Sequence, residues 1–174
     1  MQARASDAFP VPLACASWLG GLVLAGSIPG PLADLARFVV PGVVLAWTAR
    51  RLAADSPMAR IGTWLLLFSA LAFAAQGLFA LDPDDPDAAS TRALALAWTL
   101  WWIAFAPGAL LQGLSRGGRG PLAASALAAA LVCAPALLPV PRGALAFAQG
   151  VAVLAWFAWW SQAARAGALS RGAA

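Results

Sequence analysis

"ALALAWTLWWIAFAPGALLQGLS", residues 93–115, is a run of 23 residues without a charged side chain. As a helix that rises about 1.5 Å per residue, it can cross the roughly 30 Å hydrocarbon core of a bilayer. A water-soluble protein of 174 residues would have to bury such a segment almost completely in its core. The stretch therefore predicts a transmembrane helix.

Other uncharged runs of span length cover residues 8–33, 61–81, 120–141 and 143–164. A further candidate, residues 32–49, carries Asp34 and Arg37 near one end and Pro41 inside. The two charges are three residues apart on one helix face and can neutralise each other, and a membrane helix tolerates a proline kink. We predict an all-α, polytopic transmembrane bundle in a single domain, residues 1–174, with spans at about 9–29, 32–49, 61–81, 93–114, 121–140 and 143–164, or five spans if 32–49 does not cross.

The composition agrees with a membrane protein, because 62% of the residues are hydrophobic and only 10% are charged, against about 25% in soluble domains. All eleven basic residues are arginines, and they sit singly or in pairs at the ends of the apolar runs. Nucleic-acid binding is not expected, since a basic stripe with interleaved aromatic residues is missing. We expect membrane lipids and other membrane protein subunits as partners.

The arginines also predict the orientation. With six spans, one side of the membrane receives Arg4, Arg50, Arg51, Arg60, Arg116, Arg119, Arg165 and Arg171, and the other receives Arg37, Arg92 and Arg142. The richer side is the cytoplasmic one. We therefore predict a multi-pass protein of a bacterial inner membrane with both termini in the cytoplasm and the loop 82–92 outside. If 32–49 does not cross, Arg4 and Arg37 exchange sides and the N-terminus is external.

The stretch "LDPDDPDAAST", residues 81–91, holds four of the seven acidic residues. A calcium loop would need alternating oxygen ligands, a glycine and a distant glutamate, but Pro86 occupies the third ligand position and the chain has no glutamate. We predict a solvated turn between two spans and no metal site; docking to a basic partner is the alternative.

Two spans carry small residues at four-residue spacing, a pattern that lets helices approach closely. The sets are Ser17, Gly21 and Ala25 in the first span and Ser125, Ala129 and Cys133 in the fifth. We expect these packing faces to pair inside the bundle, with binding to another subunit as the alternative.

Six of the nine tryptophans fall in two copies of the spacing W-x-x-W-W, each of which forms one ridge on a helix. Trp98, Trp101 and Trp102 begin about 9 Å below Arg92 along a helix, and we expect them to face a subunit, a lipid, a carotenoid or a quinone. The other ridge lies near the predicted cytoplasmic interface, where indoles anchor a helix. The predicted interfacial anchors are Trp47, Trp64, Trp156, Trp159 and Trp160.

Reactive chemistry is scarce within the spans. The deepest polar side chains are Gln76, Gln149 and Thr99, with Gln112 nearer a helix end, and we expect them to form hydrogen bonds between helices. The chain has no histidine, lysine or glutamate to activate a nucleophile or to ligate a haem. The sequence predicts no catalytic residue and no intrinsic cofactor, although lipid, carotenoid or quinone can bind.

The turn "GLFALDPDDP", residues 77–86, together with the span count, resembles a family of small six-span prokaryotic membrane proteins of unknown function that carry a Phe-x-x-Asp turn after the third span. Ala80 stands where that family often has proline, and Thr91 and Arg92 stand where it commonly has a histidine. The resemblance implies the topology and adds no chemistry.

These features favour a non-catalytic accessory or scaffold subunit of a larger respiratory or photosynthetic complex. The alternative is a small channel or carrier for a neutral or lipidic solute. A third hypothesis, an enzyme that acts on lipid headgroups, would use the aspartates of the turn at positions 82, 84, 85 and 87.

Overall fold

The computed structural model describes residues 10–27, 31–52, 55–79, 85 and 87–172, without the side chains of 10, 22–27, 31, 142 and 167–172. All regular elements in this part of the chain are helices, which confirms the predicted all-α bundle. In chain order they are α1 Pro10–Ser27, α2 Pro31–Asp34, a π-helical segment Leu35–Val39, α3 Val40–Ala49, α4 Pro57–Ala75 with a 3-10 turn Gln76–Leu78, α5 Ala89–Ser115, α6 Arg119–Leu137 and α7 Arg142–Gly172.

Five of the described helices are long and apolar enough to cross a membrane, so the chain is a multi-pass membrane protein. They include Leu32–Ala49, the candidate with charges near its end, in which α2, the π-helical segment and α3 are continuous. The first helix, α1, has 18 residues, about 27 Å at 1.5 Å per residue. Its described apolar part, Val11–Gly21, falls short of a full span.

The helices form a ring in chain order. α1 packs against α3, and each later helix packs against the next along the chain. A smaller contact between α1 and α7 closes the ring. The turn from α5 to α6 contains Gly117 and Gly118 at φ 68° and 82°, in the left-handed region that glycine adopts without strain.

Aromatic side chains from α4, α5 and α7 fill the centre of the ring. Phe73 lies 4.5 Å from Trp156 and 5.5 Å from Trp101, measured between ring centroids, and all three rings are tilted or edge-on to one another, as aromatic pairs prefer. We call the buried group the aromatic core: Phe73, Trp101, Phe105, Trp156, Phe157, Trp159 and Trp160.

The aromatic core corrects part of the predicted interfacial belt. Trp156, Trp159 and Trp160 are 0%, 3% and 0% exposed, so their indoles point into the bundle and cannot reach lipid headgroups. The physical reason is that this face of α7 supplies the bulk that fills the centre of the ring. In contrast, Trp47 and Trp64 are exposed, as an interfacial anchor requires.

The first tryptophan ridge is divided by the fold. Trp101 is fully buried in the aromatic core, so the prediction that it faces a ligand or a second subunit is wrong. Trp98 and Trp102 are only half-buried and pack against the edge of the core. Trp98 lines a cavity.

Candidate functional site

A cavity of about 970 Å³ lies at the end of the bundle where α4 ends and α5 begins. Its walls come from α1, the helix 32–49, the 3-10 turn and the N-terminal parts of α5 and α7. It is partly open to the surface of the bundle. By the distribution of arginines, this end is the predicted outer side.

The inner end of the cavity borders the aromatic core. Three aromatic side chains of the lining, Trp18, Phe38 and Trp98, each contact one ring of the core. The centroid distances are 6.0 Å for Trp18 to Phe157, 5.4 Å for Phe38 to Phe73 and 5.0 Å for Trp98 to Trp101. The cavity therefore rests on closely packed aromatic rings.

Three hydrogen-bond donors of the lining have no partner. The Nε2 of Gln76, the Nε1 of Trp18 and the Nε of Arg37 are buried atoms without a hydrogen bond in the described part of the chain. The residues Gln76 and Trp18 are only 3% and 4% exposed. All three atoms have almost no solvent-accessible surface, so they do not open onto the cavity, and the indole nitrogens of Trp101, Trp156 and Trp160 in the aromatic core are buried without a partner in the same way.

The π-helical segment sets the position of Arg37. Pro41 has no backbone N–H and its ring clashes with the preceding turn, which favours a local widening of the helix. In the widened turn, the N–H of Val40 donates to the carbonyl of Leu35 instead of that of Ala36. The hydroxyl of Ser17 in α1 donates to the carbonyl of Ala36 at 2.7 Å. The sequence thus predicts the irregularity at Pro41, but not its π-helical form.

Two glycines hold this segment in place by close backbone contact. A Cβ built at Gly21 would lie 2.7 Å from the backbone nitrogen of Arg37, and one built at Gly77 would lie 2.7 Å from the carbonyl oxygen of Asp34. Any larger residue at either position must displace the backbone that carries Arg37. The segment is therefore fixed from both sides, by α1 and by the 3-10 turn.

We expect Gly21→Ala to lower the melting temperature of the detergent-solubilised protein, although alanine is the better helix former by about 1 kcal/mol. The added methyl would lie within 2.8 Å of three atoms of Arg37, an overlap that costs about 1–3 kcal/mol. The matched control is Gly20→Ala, because nothing lies within 4 Å of a Cβ at Gly20. Equal melting temperatures for the two variants would contradict this packing.

The two charges of the lining lie on one helix and interact with each other. Asp34 and Arg37 both line the cavity, and the negative charge of Asp34 stabilises the charged form of Arg37, as the predicted neutralisation requires. The guanidinium carbon of Arg37 lies 4.9 Å from the ring centroid of Phe38. Asp34 is exposed and Arg37 is half-buried, so each keeps capacity for a charged group of a ligand.

The predicted interhelical hydrogen bonds form at only some of the polar side chains. The amide of Gln112 donates to the carbonyl of Ala59 and to the hydroxyl of Thr63, both at 2.9 Å, which confirms the expectation there. Thr99 donates to the carbonyl of Ala95 within its own helix. The Nε2 of Gln76 is buried without a hydrogen-bond partner, and the residues Gln76 and Gln149 both contribute to the cavity lining.

The small-residue faces pack against helices of the same chain. Gly21 contacts the backbone of Arg37, and Ser125 accepts a hydrogen bond from the Nε1 of Trp159 at 2.9 Å. Ala129 is buried and Cys133 is half-buried. The side chain of Ala25 is outside the described part of the chain.

The acidic turn is only partly described. Asp85 and Asp87 are exposed, and the N–H of Asp87 donates to the Oδ1 of Asp85 at 3.0 Å. The other two aspartates, at positions 82 and 84, are outside the described residues. Within the described ranges, no three potential metal-ligating side chains lie together.

Comparison with known proteins adds no further assignment. No family model, curated protein or solved structure matches the chain. The cavity and the two charges of its lining are therefore the observations from which a function can be argued.

Proposed function

We propose that this chain is a binding protein of a bacterial cytoplasmic membrane that holds one amphipathic solute in the outer-side cavity. The observation that carries the proposal is the cavity of about 970 Å³, whose lining combines aromatic and aliphatic walls with the charged side chains of Asp34 and Arg37. Concave sites with apolar walls and a few polar groups are typical of small-molecule binding.

The walls support an amphipathic solute in particular. Leu94, Val153 and Trp98 provide apolar surface, whereas Arg37 and Gln149 provide hydrogen-bond donors. A purely apolar molecule would leave these donors without hydrogen-bond partners. A purely polar molecule would lie against aromatic and aliphatic walls that offer it no hydrogen bonds. A solute with one polar end and one apolar end satisfies both.

Binding is favoured over conduction along the axis of the ring, because the aromatic core borders the inner end of the cavity and is fully buried. A carrier that moves the solute by a change of conformation is compatible with the proposal. The predicted role as an accessory subunit remains a prediction. The support for that role is weaker, because many of the tryptophans and small residues that could contact a partner subunit pack against helices of the same chain instead.

A cavity-filling variant tests the proposal. Gly150 lines the cavity, and nothing lies within 4 Å of a Cβ built there, so Gly150→Leu should occupy the space without displacing the backbone. We expect native mass spectrometry after gentle extraction to find one bound amphiphile per chain in the wild type. In Gly150→Leu its occupancy should fall at least about tenfold, which corresponds to about 1.4 kcal/mol of binding free energy.

Gly143→Leu is the matched control, because Gly143 lies on the same helix, has equally open surroundings and is not part of the lining. It should retain the amphiphile at the wild-type level. The proposal fails if the wild type carries no bound amphiphile, or if both leucine variants carry as much as the wild type.

A further inference from the structure

One polar side chain of the cavity lining lies well inside the apolar part of a span. Gln149 is six residues into the span Gly143–Ala166, which places it about 9 Å along a helix that rises about 1.5 Å per residue. With Ala146, Gly150 and Val153 it forms one face of α7, at spacings of three and four residues, and this face lines the cavity. The amide of Gln149 is the polar group of that face.

The amide of Gln149 can be reached by a ligand. The side chain is half-buried and forms no hydrogen bond with the part of the chain that the structure describes. Unlike the Nε2 of Gln76, neither of its polar atoms is sealed from solvent without a partner. Nothing lies within 4 Å of a Cβ built at the neighbouring Gly150, so there is open space on this face of α7.

A polar amide at this depth favours a ligand that brings a polar group. Polar side chains within membrane spans usually bond to another helix or face a cavity, because an unpaired polar group is costly in an apolar layer. Gln112 is of the first kind, since it donates to the carbonyl of Ala59 and to the hydroxyl of Thr63. Gln149 is of the second kind, and the aliphatic and aromatic walls around it favour an amphiphile over water alone.

The charges of the lining indicate that the polar group of the ligand is uncharged. Asp34 and Arg37 have opposite charges, lie three residues apart on one helix and interact with each other. An anion attracted by Arg37 is repelled by Asp34, and the reverse holds for a cation. The described lining therefore has no net preference for an ion. The amide of Gln149 can both donate a hydrogen bond to an uncharged group and accept one from it.

We propose that the bound amphiphile is an uncharged lipid whose carbonyl or hydroxyl group forms a hydrogen bond with the amide of Gln149. This proposal rests on the proposed function and names its ligand class and the residue that selects it. The apolar body of the lipid contacts the walls formed by Leu94, Trp98 and Val153. A quinone ring and an acylglycerol both carry such uncharged groups, and the probes below distinguish these two sources.

Native mass spectrometry of the delipidated full-length protein with matched probes tests this proposal. The first pair is a short-chain benzoquinone and the alkylbenzene with the same chain, which lacks the carbonyl groups. The second pair is a short-chain diacylglycerol and the phosphatidylglycerol with the same chains, which is anionic. In the pair that matches the natural lipid, we expect the uncharged polar member to bind at least about tenfold more tightly than its counterpart. That pair tells a ring carbonyl from an acylglycerol.

Gln149→Leu assigns the selectivity to the amide. Leucine removes the donor and the acceptor but keeps an apolar side chain in the wall, so the affinity for the preferred probe should fall about tenfold. The alkylbenzene should bind as it does to the wild type, a result that a misfolded variant would not give. The matched control is Gln162→Leu, because Gln162 lies on the same helix, is exposed and is not part of the lining. It should keep the wild-type affinities.

The outcomes separate this proposal from the proposed function. If phosphatidylglycerol and the alkylbenzene bind as tightly as the uncharged polar probes, and Gly150→Leu still abolishes their binding, the cavity binds amphiphiles but the assigned ligand class is wrong. If Gln149→Leu and Gln162→Leu give the same affinities, Gln149 does not select the ligand. If no probe responds to Gly150→Leu, the proposed function itself fails.

Discussion

Replacing Trp156 with alanine is expected to lower the free energy of unfolding by about 3–5 kcal/mol. Trp156 is 0% exposed, and its ring lies within 4.5–6.4 Å of four others between centroids: Phe73, Phe157, Trp101 and Trp160. In a membrane this loss comes chiefly from missing packing contacts, because the surrounding lipid is as apolar as the core. The ring of helices cannot collapse easily around a void of that size.

Reversible unfolding in mixed micelles measures this effect. Trp64→Ala is the matched control, since Trp64 is 57% exposed and its removal leaves no internal void. Trp156→Phe should lie between the two variants, because it keeps one ring in the cluster. If Trp64→Ala and Trp156→Ala cost the same, Trp156 does not occupy the centre of the bundle.

Gly42→Leu is expected to prevent the correct packing of α3 on α4, with a cost above about 3 kcal/mol. A Cβ at Gly42 would lie 2.6 Å from the carbonyl oxygen of Ala70 and 2.6 Å from the backbone nitrogen of Ala74. Neither backbone atom can move without shifting α4 as a whole. We expect little monodisperse protein after extraction, and a lower melting temperature in what remains.

The control for this variant is Gly20→Leu, which adds the same side chain to a helix position with nothing within 4 Å of the Cβ. It should be extracted at the wild-type level. Gly42→Ala should give a milder defect than Gly42→Leu. Normal yield and stability of Gly42→Leu would show that α3 and α4 are not in backbone contact at this point.

The spans were predictable from the sequence because length and charge decide them. Uncharged runs of more than 20 residues, such as 93–115, are stable in a bilayer as transmembrane helices. The helix 32–49 was the uncertain case, and the structure includes Leu32–Ala49 among the helices of span length. Its charges lie within the first turns, where they do not interrupt the apolar part.

The direction in which each tryptophan points was not predictable, and the reason is physical. Lipid chains and the protein core are equally apolar, so hydrophobicity does not separate the inner from the outer face of a membrane helix. Trp64 and Trp156 have similar apolar surroundings in the sequence, but one is exposed and the other fully buried. Only the packing of α7 against α4 and α5 distinguishes them.

The cavity could not be predicted from the sequence either. The sequence predicts that Arg37 neutralises Asp34 and that Gln76 forms hydrogen bonds between helices. It does not predict that Arg37 and Gln76 line the same cavity. Their shared cavity depends on the π-helical turn and on the contacts of Gly21 and Gly77, which join segments distant in the chain. Spacing within a single helix carries no information on such contacts.

Site-specific photo-crosslinking in native membranes tests the central claim, that this cavity binds a selected amphiphile. A photoreactive amino acid would replace Gln149, which lines the cavity, or Phe147, two residues earlier on the same helix and 76% exposed. We predict that position 149 captures mainly one lipid species, while position 147 captures lipids in proportion to the membrane composition. The same lipid distribution at both positions would contradict the account.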